Sequence, residues 1–176
     1  MGEIRYPVKA KLVIPVLYSS SEIFTNICKE LTEIYGDMDY ISPIINFNFT
    51  DFYNKEMGIP IFRIILSFQT LIDSEELLDI KVKTNELEKK SSVCNERKIN
   101  LDPGYLDLSK FVLATTKNYS HRIHLGKGIF AECTLVYRNK TFMPWEWTYM
   151  DYRSEEYINI FNKIRKIYKE QIERIF

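Results

Sequence analysis

The sequence is poor in residues that form covalent or metal cross-links. It contains three cysteines, Cys28, Cys94 and Cys133, and only two histidines, His121 and His124. An odd number of widely spaced cysteines without a Cys-x-x-Cys pair is typical of reduced thiols rather than of disulfides or zinc ligands. We therefore expect a reducing, cytoplasmic location, and we assign no residue to a metal site.

Long hydrophobic runs and an excess of charge are also absent. No apolar run approaches the roughly 20 residues of a membrane-spanning helix, and residues 1–7 lack the apolar stretch of a signal peptide. The 24 basic and 24 acidic residues balance to a formal net charge of zero. Because no overall field attracts nucleic acid or an anionic membrane, we expect no membrane partner, and the sequence carries no strong nucleic-acid signal.

Several catalytic signatures are missing. There is no Walker A loop, no glycine-rich dinucleotide fingerprint after a strand, no Gly-x-Ser-x-Gly and no His-Glu-x-x-His. These absences leave standard P-loop NTPases, dinucleotide enzymes, serine hydrolases and zincins without support. They also leave any cofactor unknown.

What the sequence does contain is typical of a packed globular protein. Hydrophobic residues make up 45% of the chain and aromatic residues 14%, which argues against disorder. A chain of 176 residues has the length of one domain. We predict a single α+β domain over residues 1–176.

Hydrophobic periodicity outlines the first half of the fold. Residues 11–18 read as a buried strand, and a helix follows that Ser19 and Glu22 would cap and Gly36 would end. Alternating apolar residues predict half-buried strands over residues 45–50 and 62–69. Asp73 with Glu76 predicts the start of a second helix.

The second half is predicted to add mainly strands. A short strand over 99–101 would end at a turn formed by Asp102, Pro103 and Gly104, while residues 108–116 fit a helix or a strand. A meander over 120–125, 129–138 and 141–143, with a turn at Asn139 and Lys140, precedes a helix that begins near Ser154. The fold class is therefore α+β and mostly antiparallel, with a ferredoxin-like βαββαβ core extended by the β-meander and a C-terminal helix.

The chemistry concentrates between residues 100 and 132, where both histidines lie. If Leu125 pairs with Ile129, Arg122 faces Glu132 and His124 lies on the same face of the meander. The opposite face, which includes Ile123, would then be core. A cation, an imidazole and a carboxylate on one sheet face indicate a ligand site, and the alternative is an exposed ion pair beside a solvated histidine.

We assign roles by side-chain chemistry. Cations and donors suited to an anion are Arg122, Lys110, Lys117, Asn100, His121 and Arg63. Acid/base groups are His124, Asp102 and Glu132. Each has a plainer alternative: His121 as a hydrogen-bonded histidine at the core edge, Asp102 as a turn residue, the lysines as solvated charges, and Arg63 as part of a wet sheet face.

Two aromatic segments leave further alternatives open. Residues 51–58 could form a lid over the site or a loop with buried rings. The rings of Trp145, Trp147, Tyr149 and Tyr152 could stack on a base or anchor the last helix.

The sequence also resembles a known family of short proteins of unknown function, over almost its full length. The resemblance is carried by Asn-Leu-Asp-Pro-Gly-Tyr at 100–105, Lys-Phe-Val-Leu-Ala-Thr-Thr-Lys at 110–117, His-Arg-Ile at 121–123 and Trp-Thr-Tyr at 147–149. Some members carry the label GTP-binding protein, which the resemblance implies here. The chain departs from the family pattern at Met150, where a proline is expected, and at Gln69, where a carboxylate is common.

The hypothesis from sequence is a protein that binds, and in one version processes, a small anionic ligand such as a nucleotide or a phosphorylated metabolite. The alternative is an RNA- or protein-binding module without catalytic activity. The residues leave open whether any reaction is catalysed, and they leave the oligomeric state unknown.

Overall fold

A computed structural model describes residues 2–174 of the chain. The strands are β1 (Ala10–Tyr18), β2 (Met38–Ile41), β3 (Ile45–Asn46), β4 (Phe62–Ile72), β5 (Ile99–Leu101), β6 (Gly104–Leu106), β7 (Lys110–Thr115), β8 (Ile123–Gly126), β9 (Ile129–Arg138) and β10 (Thr141–Pro144). The helices are α1 (Ser21–Tyr35), α2 (Asn54–Met57), α3 (Leu77–Lys90) and α4 (Glu155–Glu173), with short 3-10 turns at Ser74–Glu76 and Asp151–Arg153.

The ten strands form one open sheet in the order β10-β9-β7-β6-β1-β4-β2. Off this path, β3 pairs with β4, β5 with β1 and β8 with β9, and every ladder is antiparallel. The predicted α+β class with a mostly antiparallel sheet is confirmed.

The central strand β1 is buried along its whole length because helices cover both faces of the sheet. Helices α1 and α3 pack on one face, around Ile14 and Leu66. Helix α4 packs on the other face, around Val13, Ile65 and Phe111. A strand buried on both faces has no polar alternation, which explains the continuous apolar run of the sequence.

Helix α1 begins one residue later than predicted. Its N-cap is Ser20, whose hydroxyl accepts a hydrogen bond from the backbone N–H of Ile23 at 3.4 Å. Ser19 is held outside the helix because its N–H and hydroxyl donate to the carbonyl oxygens of Lys98 and Met57. The predicted capping by Ser19 and Glu22 is wrong, whereas the helix and its end at Gly36, with φ of 87°, are confirmed.

The predicted Asp-Pro-Gly turn is also wrong. Strands β5 and β6 pair with β1 in one continuous register on either side of Asp102 and Pro103, so the chain runs straight through this segment. Asp102 donates its N–H to the carbonyl of Pro15 at 3.0 Å. Pro15 and Pro103 each lack an N–H, which interrupts the ladder without reversing the chain.

Other elements differ from the predictions in extent. The strand predicted over 45–50 is confined to β3, and β2 was not predicted. The segment 108–116, left as helix or strand, contains strand β7. The meander strand β9, the turn at Asn139 and Lys140, and the helix capped by Ser154 follow the predictions.

A bulge in β8 changes the predicted pairing of the meander. His124 lies opposite Phe130 as predicted, but Gly126 rather than Leu125 pairs with Ile129. The face of β8 that was predicted to be core is exposed, with 72% of Ile123 accessible to solvent. The prediction failed because, within residues 2–174, β8 pairs with β9 alone and its apolar side chains belong to none of the clusters of buried residues.

Candidate functional site

Glu132 in β9 is the centre of a buried charge cluster. Its carboxylate accepts a hydrogen bond from Nε of Arg122 at 2.7 Å and lies 3.1 Å from Nε2 of His121. The hydroxyl of Thr134 donates to its second oxygen at 3.3 Å. Only 2% of the Glu132 side chain is exposed. Such a carboxylate holds both the guanidinium and the imidazole in defined orientations.

Arg122 ties three segments together. It donates from Nη1 to the carbonyl of Lys117 at 2.9 Å and from Nη2 to the hydroxyl of Tyr149 at 2.9 Å. Burial works to lower the pKa of Arg122, but the hydrogen bonds to Glu132 and Tyr149 outweigh it, so the pKa is raised. Arg122 therefore stays charged and orders both the 117–122 loop and the 145–149 loop.

The backbone of β9 positions the 145–149 loop directly. Trp147 donates its indole N–H to the carbonyl of Cys133 at 3.0 Å, and the hydroxyl of Thr148 donates to the carbonyl of Thr134 at 2.6 Å. The same hydroxyl accepts from the N–H of Trp145 at 2.8 Å, which closes the turn. These contacts fix the loop next to the Glu132 cluster.

A cleft of about 690 Å³ lies between these two loops. It is lined by Lys117, Asn118, Tyr119, Ser120, His121, Arg122, Glu146, Trp147 and Tyr149. The ammonium of Lys117 lies 4.4 Å from the centre of the Phe52 ring, which brings the 51–58 segment to the rim. The lining combines cations, hydroxyls and aromatic rings, the groups that bind polar aromatic or anionic ligands.

A second cluster surrounds Arg63 in β4, which is 2% exposed. Its guanidinium contacts Asp151 at 3.0 Å and Asp102 at 3.4 Å, and Nε donates to the hydroxyl of Tyr157 at 3.2 Å. Burial alone lowers the pKa of Arg63, but the surrounding phenols and carboxylates raise it overall. Burial raises the pKa of Asp151 despite the opposing effect of Arg63.

The amide of Asn100 belongs to a third group. Arg97 donates to the Asn100 side-chain oxygen at 3.1 Å and to Glu88 at 3.1 Å, and it forms two hydrogen bonds with Glu56 at 2.6 and 2.8 Å. Burial raises the pKa of Glu88. The Asn100 side-chain nitrogen is buried, and within residues 2–174 it has no hydrogen-bond partner.

The register of the strands places four of the predicted site residues on one face of the sheet. Arg63 and Asn100 lie in one cross-strand row on either side of Leu17, and Asp102 follows two residues after Asn100 on the same side of its strand. Glu132 reaches the same face through its pairing across β7 to β6. This is the face that α4 covers.

Tyr53 packs against Phe47, whose ring lies 5.3 Å from the Arg63 guanidinium. Burial raises the pKa of Tyr53; Asp102 and Tyr149 add to the increase, while Arg63 and Arg97 oppose it. The Tyr53 phenol therefore feels the charges of the Arg63 and Arg97 clusters. Within the 51–58 segment the Tyr53 ring is partly buried, as the alternative of a loop with buried rings expects, and Phe52 is 63% exposed at the rim of the cleft; the role as a lid stays a prediction.

Lys110 and His124 lie apart from the cleft, and Arg63, Asn100 and Asp102 of the other two clusters do not line it either. Lys110 forms an ion pair with Asp107 at 2.5 Å and does not line the cleft. His124 is exposed and contacts Phe130, with ring centres 5.0 Å apart. The histidine beside Arg122 and Glu132 is His121, so the expected grouping of His124 with them is wrong, whereas the alternative of a hydrogen-bonded His121 at the core edge is borne out, with 13% of its side chain exposed. The position of β8 relative to the loop before it decides which histidine lies beside Arg122 and Glu132.

Several residues of the clusters were not predicted to belong to the site. They are Asp151, Tyr157, Glu88, Arg97 and Tyr53. Glu88 in α3 is flanked by Leu87 and Lys89, so its burial had no signal in the neighbouring residues. Asp151 carried no local signal. Among residues 2–174 no group of three or more His, Cys, Asp and Glu side chains has a metal-binding arrangement.

Fold and site together define an α+β protein with an open antiparallel sheet and a polar, aromatic cleft beside a buried carboxylate. Residues 8–168 match the model of a family described as a domain of unknown function, DUF4416, and the chain belongs to this family. No curated protein and no solved structure matches the chain. In the described part of the chain, no helix is both long and apolar enough to cross a membrane.

Proposed function

We propose that this protein binds a small anionic ligand, such as a nucleotide or a phosphorylated metabolite, in the cleft between the 117–122 and 145–149 loops. The observation that carries the proposal is an exposed lysine in a cleft whose wall is ordered by hydrogen bonds. Lys117 is exposed at the cleft, and its ammonium faces the Phe52 ring at 4.4 Å and takes part in none of the ion pairs found among residues 2–174. An unneutralised lysine next to ordered donors favours an anion.

The wall of the cleft is preorganised for such a ligand. Arg122 uses three of its N–H groups in the contacts to Glu132, Lys117 and Tyr149. A guanidinium carries five such groups, so two of them are left for a ligand. Because Glu132 already orients Arg122 and His121, binding would cost little additional ordering.

The same arrangement is suited to proton transfer. An imidazole held by a buried carboxylate and facing a cleft is the base-and-orienter pair of general acid/base catalysis. We therefore transfer the acid/base role predicted for His124 to His121 and keep Glu132 as its orienting partner. Asp102, Asn100 and Arg63, on the same sheet face, are proposed to bind a more distant part of the ligand or to stabilise the site.

A thermal-shift screen tests the proposal. Nucleotides, including the guanine nucleotides that the family label implies, are compared with sugar phosphates, inorganic phosphate and divalent metals. A ligand at 100 times its dissociation constant stabilises the fold by about 2.7 kcal/mol. We expect stabilisation by one anionic class and its loss in Lys117→Ala.

Lys163→Ala is the matched control, because Lys163 is an exposed lysine of α4 that does not line the cleft. It should respond to ligand like the wild type. Equal stabilisation of both variants would contradict binding at Lys117, and the absence of any shift would contradict the proposed function.

A binding module for RNA or protein is the second candidate, because large side chains are exposed around the cleft. Phe52 is 63%, Tyr119 67%, Tyr149 51% and Met150 66% exposed. Exposed aromatic groups beside a cation are typical of surfaces that bind single-stranded nucleic acid. A short RNA in the same screen distinguishes the two candidates.

Two further proposals concern context. Residues 10–106 are proposed to form a ferredoxin-like core, supported by the chain order β1-α1-β2-β4-α3-β5/β6 and the sheet order β6-β1-β4-β2. A cytoplasmic location is proposed because Cys28, Cys94 and Cys133 are all free thiols.

A further inference from the structure

A series of stacked rings leads from the sheet edge into the cleft. Trp145 and Trp147 are nearly parallel, with ring centres 5.1 Å apart and an angle of 11°. Trp147 and His121 continue the stack at 5.2 Å and 13°. Tyr119 packs against His121 at 5.4 Å and 60°. The guanidinium of Arg138 lies over the other end, 5.0 Å from the Trp145 ring.

The cleft end of this series is open. Tyr119 is 67% exposed, although an apolar ring gains free energy from burial. Tyr149, which also lines the cleft, is 51% exposed, and its hydroxyl is held by Arg122. The cleft thus presents two accessible rings, and the Tyr149 ring is fixed in place before any ligand arrives.

We infer that the ligand of this cleft carries a planar heteroaromatic ring joined to an anionic group, as a nucleoside phosphate does, and that the ring stacks on Tyr119. This inference rests on the proposed function and narrows its ligand class. The ring would extend the series Trp145-Trp147-His121-Tyr119, and the anionic group would bind Lys117 and the remaining donors of Arg122.

The arrangement disfavours an aliphatic phosphometabolite. Such a ligand would use the cations but leave the Tyr119 ring exposed, whereas a planar ring gains stacking with any aromatic face. Truncation of an aromatic platform weakens base binding by roughly 5- to 150-fold. The ring therefore contributes affinity that the cations alone do not supply.

The test compares three probes by calorimetry: adenosine monophosphate, ribose phosphate and inorganic phosphate. Each is titrated into the wild type, Tyr119→Phe, Tyr119→Ala and Tyr6→Ala. Tyr6 is the matched control, because it is 94% exposed and does not line the cleft. Thermal melts confirm that the exposed substitutions leave the fold intact.

We expect adenosine monophosphate to bind at least tenfold more tightly than ribose phosphate. Tyr119→Ala should lose that advantage, while Tyr119→Phe and Tyr6→Ala retain it. Intrinsic tryptophan fluorescence should also change with the nucleotide, because Trp147 lines the cleft.

Three results would overturn the inference, and they differ in what they leave standing. Equal binding of adenosine monophosphate and ribose phosphate would contradict the inferred ring of the ligand and would still support a site for its anionic group. Failure of all three probes, together with the absence of any shift in the thermal-shift screen, would overturn the proposed function with it. Much tighter binding of a single-stranded oligonucleotide than of the mononucleotide would replace the small ligand with RNA.

Discussion

Arg63 and Arg122 are both buried arginines that face carboxylates, yet they lie in opposite surroundings. Arg63 contacts Asp151, Asp102 and the hydroxyl of Tyr157, and it lies beneath the start of α4. Arg122 contacts one carboxylate, that of Glu132. Its other side-chain partners are the carbonyl of Lys117 and the hydroxyl of a half-exposed tyrosine at the cleft.

The difference in what covers each arginine bears on two separate properties, the stability of the fold and the access of a ligand. A helix that covers an arginine excludes water and makes each broken contact costly, because the remaining charges stay buried. An arginine at the wall of a cleft keeps donors that a ligand can reach. The two clusters use the same chemistry, and what packs over them decides that Arg63 is enclosed beneath a helix whereas Arg122 borders an open cleft.

The largest effect is expected from Arg63→Met. The substitution leaves Asp151 and Asp102 facing each other without their cation, so we expect the free energy of unfolding to fall by about 3–5 kcal/mol. Urea denaturation measures it. Arg5→Met is the control, because the Arg5 side chain is 81% exposed, and it should change stability by less than about 0.5 kcal/mol. Similar losses of unfolding free energy in Arg63→Met and Arg5→Met would contradict the role assigned to the burial of Arg63.

A smaller loss is expected from Glu132→Gln. The amide removes the charge that holds Arg122 and His121, and we expect a loss of about 2–3 kcal/mol together with weaker ligand binding. Glu170→Gln, in an exposed pair with Lys166, is the control and should leave both unchanged. Full ligand affinity in Glu132→Gln would show that the cleft does not depend on this carboxylate.

The smallest effect is expected from Glu56→Gln. Hydrogen bonds from Arg97 lower the pKa of Glu56 below its ordinary 4.5. A lowered pKa means that its stabilisation is complete above about pH 4.5 and is lost as pH falls through the folded-state value. We expect the variant to be less stable by at most about 1 kcal/mol at pH 7, because the pair is partly exposed.

The pH dependence provides the check on this prediction. The difference in unfolding free energy between wild type and Glu56→Gln should shrink as the solution is acidified below pH 4.5. A difference that grows on acidification would have the wrong sign for a lowered pKa and would contradict the role assigned to Arg97.

Local signals predicted the elements whose causes are local. The start of α4 at Ser154, the end of α1 at Gly36 and the turn at Asn139 and Lys140 each depend on a few adjacent residues. The Asp-Pro-Gly segment misled because its residues favour a turn in isolation. Pairing with β1 on both sides overrides that preference.

The candidate site was predictable in part for the same reason. Arg122 and Glu132 were expected to meet across the meander, and they do. The choice between His121 and His124 depended on a loop and a bulge that no periodicity reveals. Asp151 and Tyr157 could not be linked to Arg63, because they lie 88 and 94 residues after it in the chain.

By itself the sequence determined the α+β class and many of the helices and strands, since hydrophobic period, caps and turns act over a few neighbouring positions. Only the tertiary structure decided which charges pair, which arginine is covered by α4 and which histidine faces the cleft. These outcomes follow from strand register and helix packing, which bring together residues far apart in the chain.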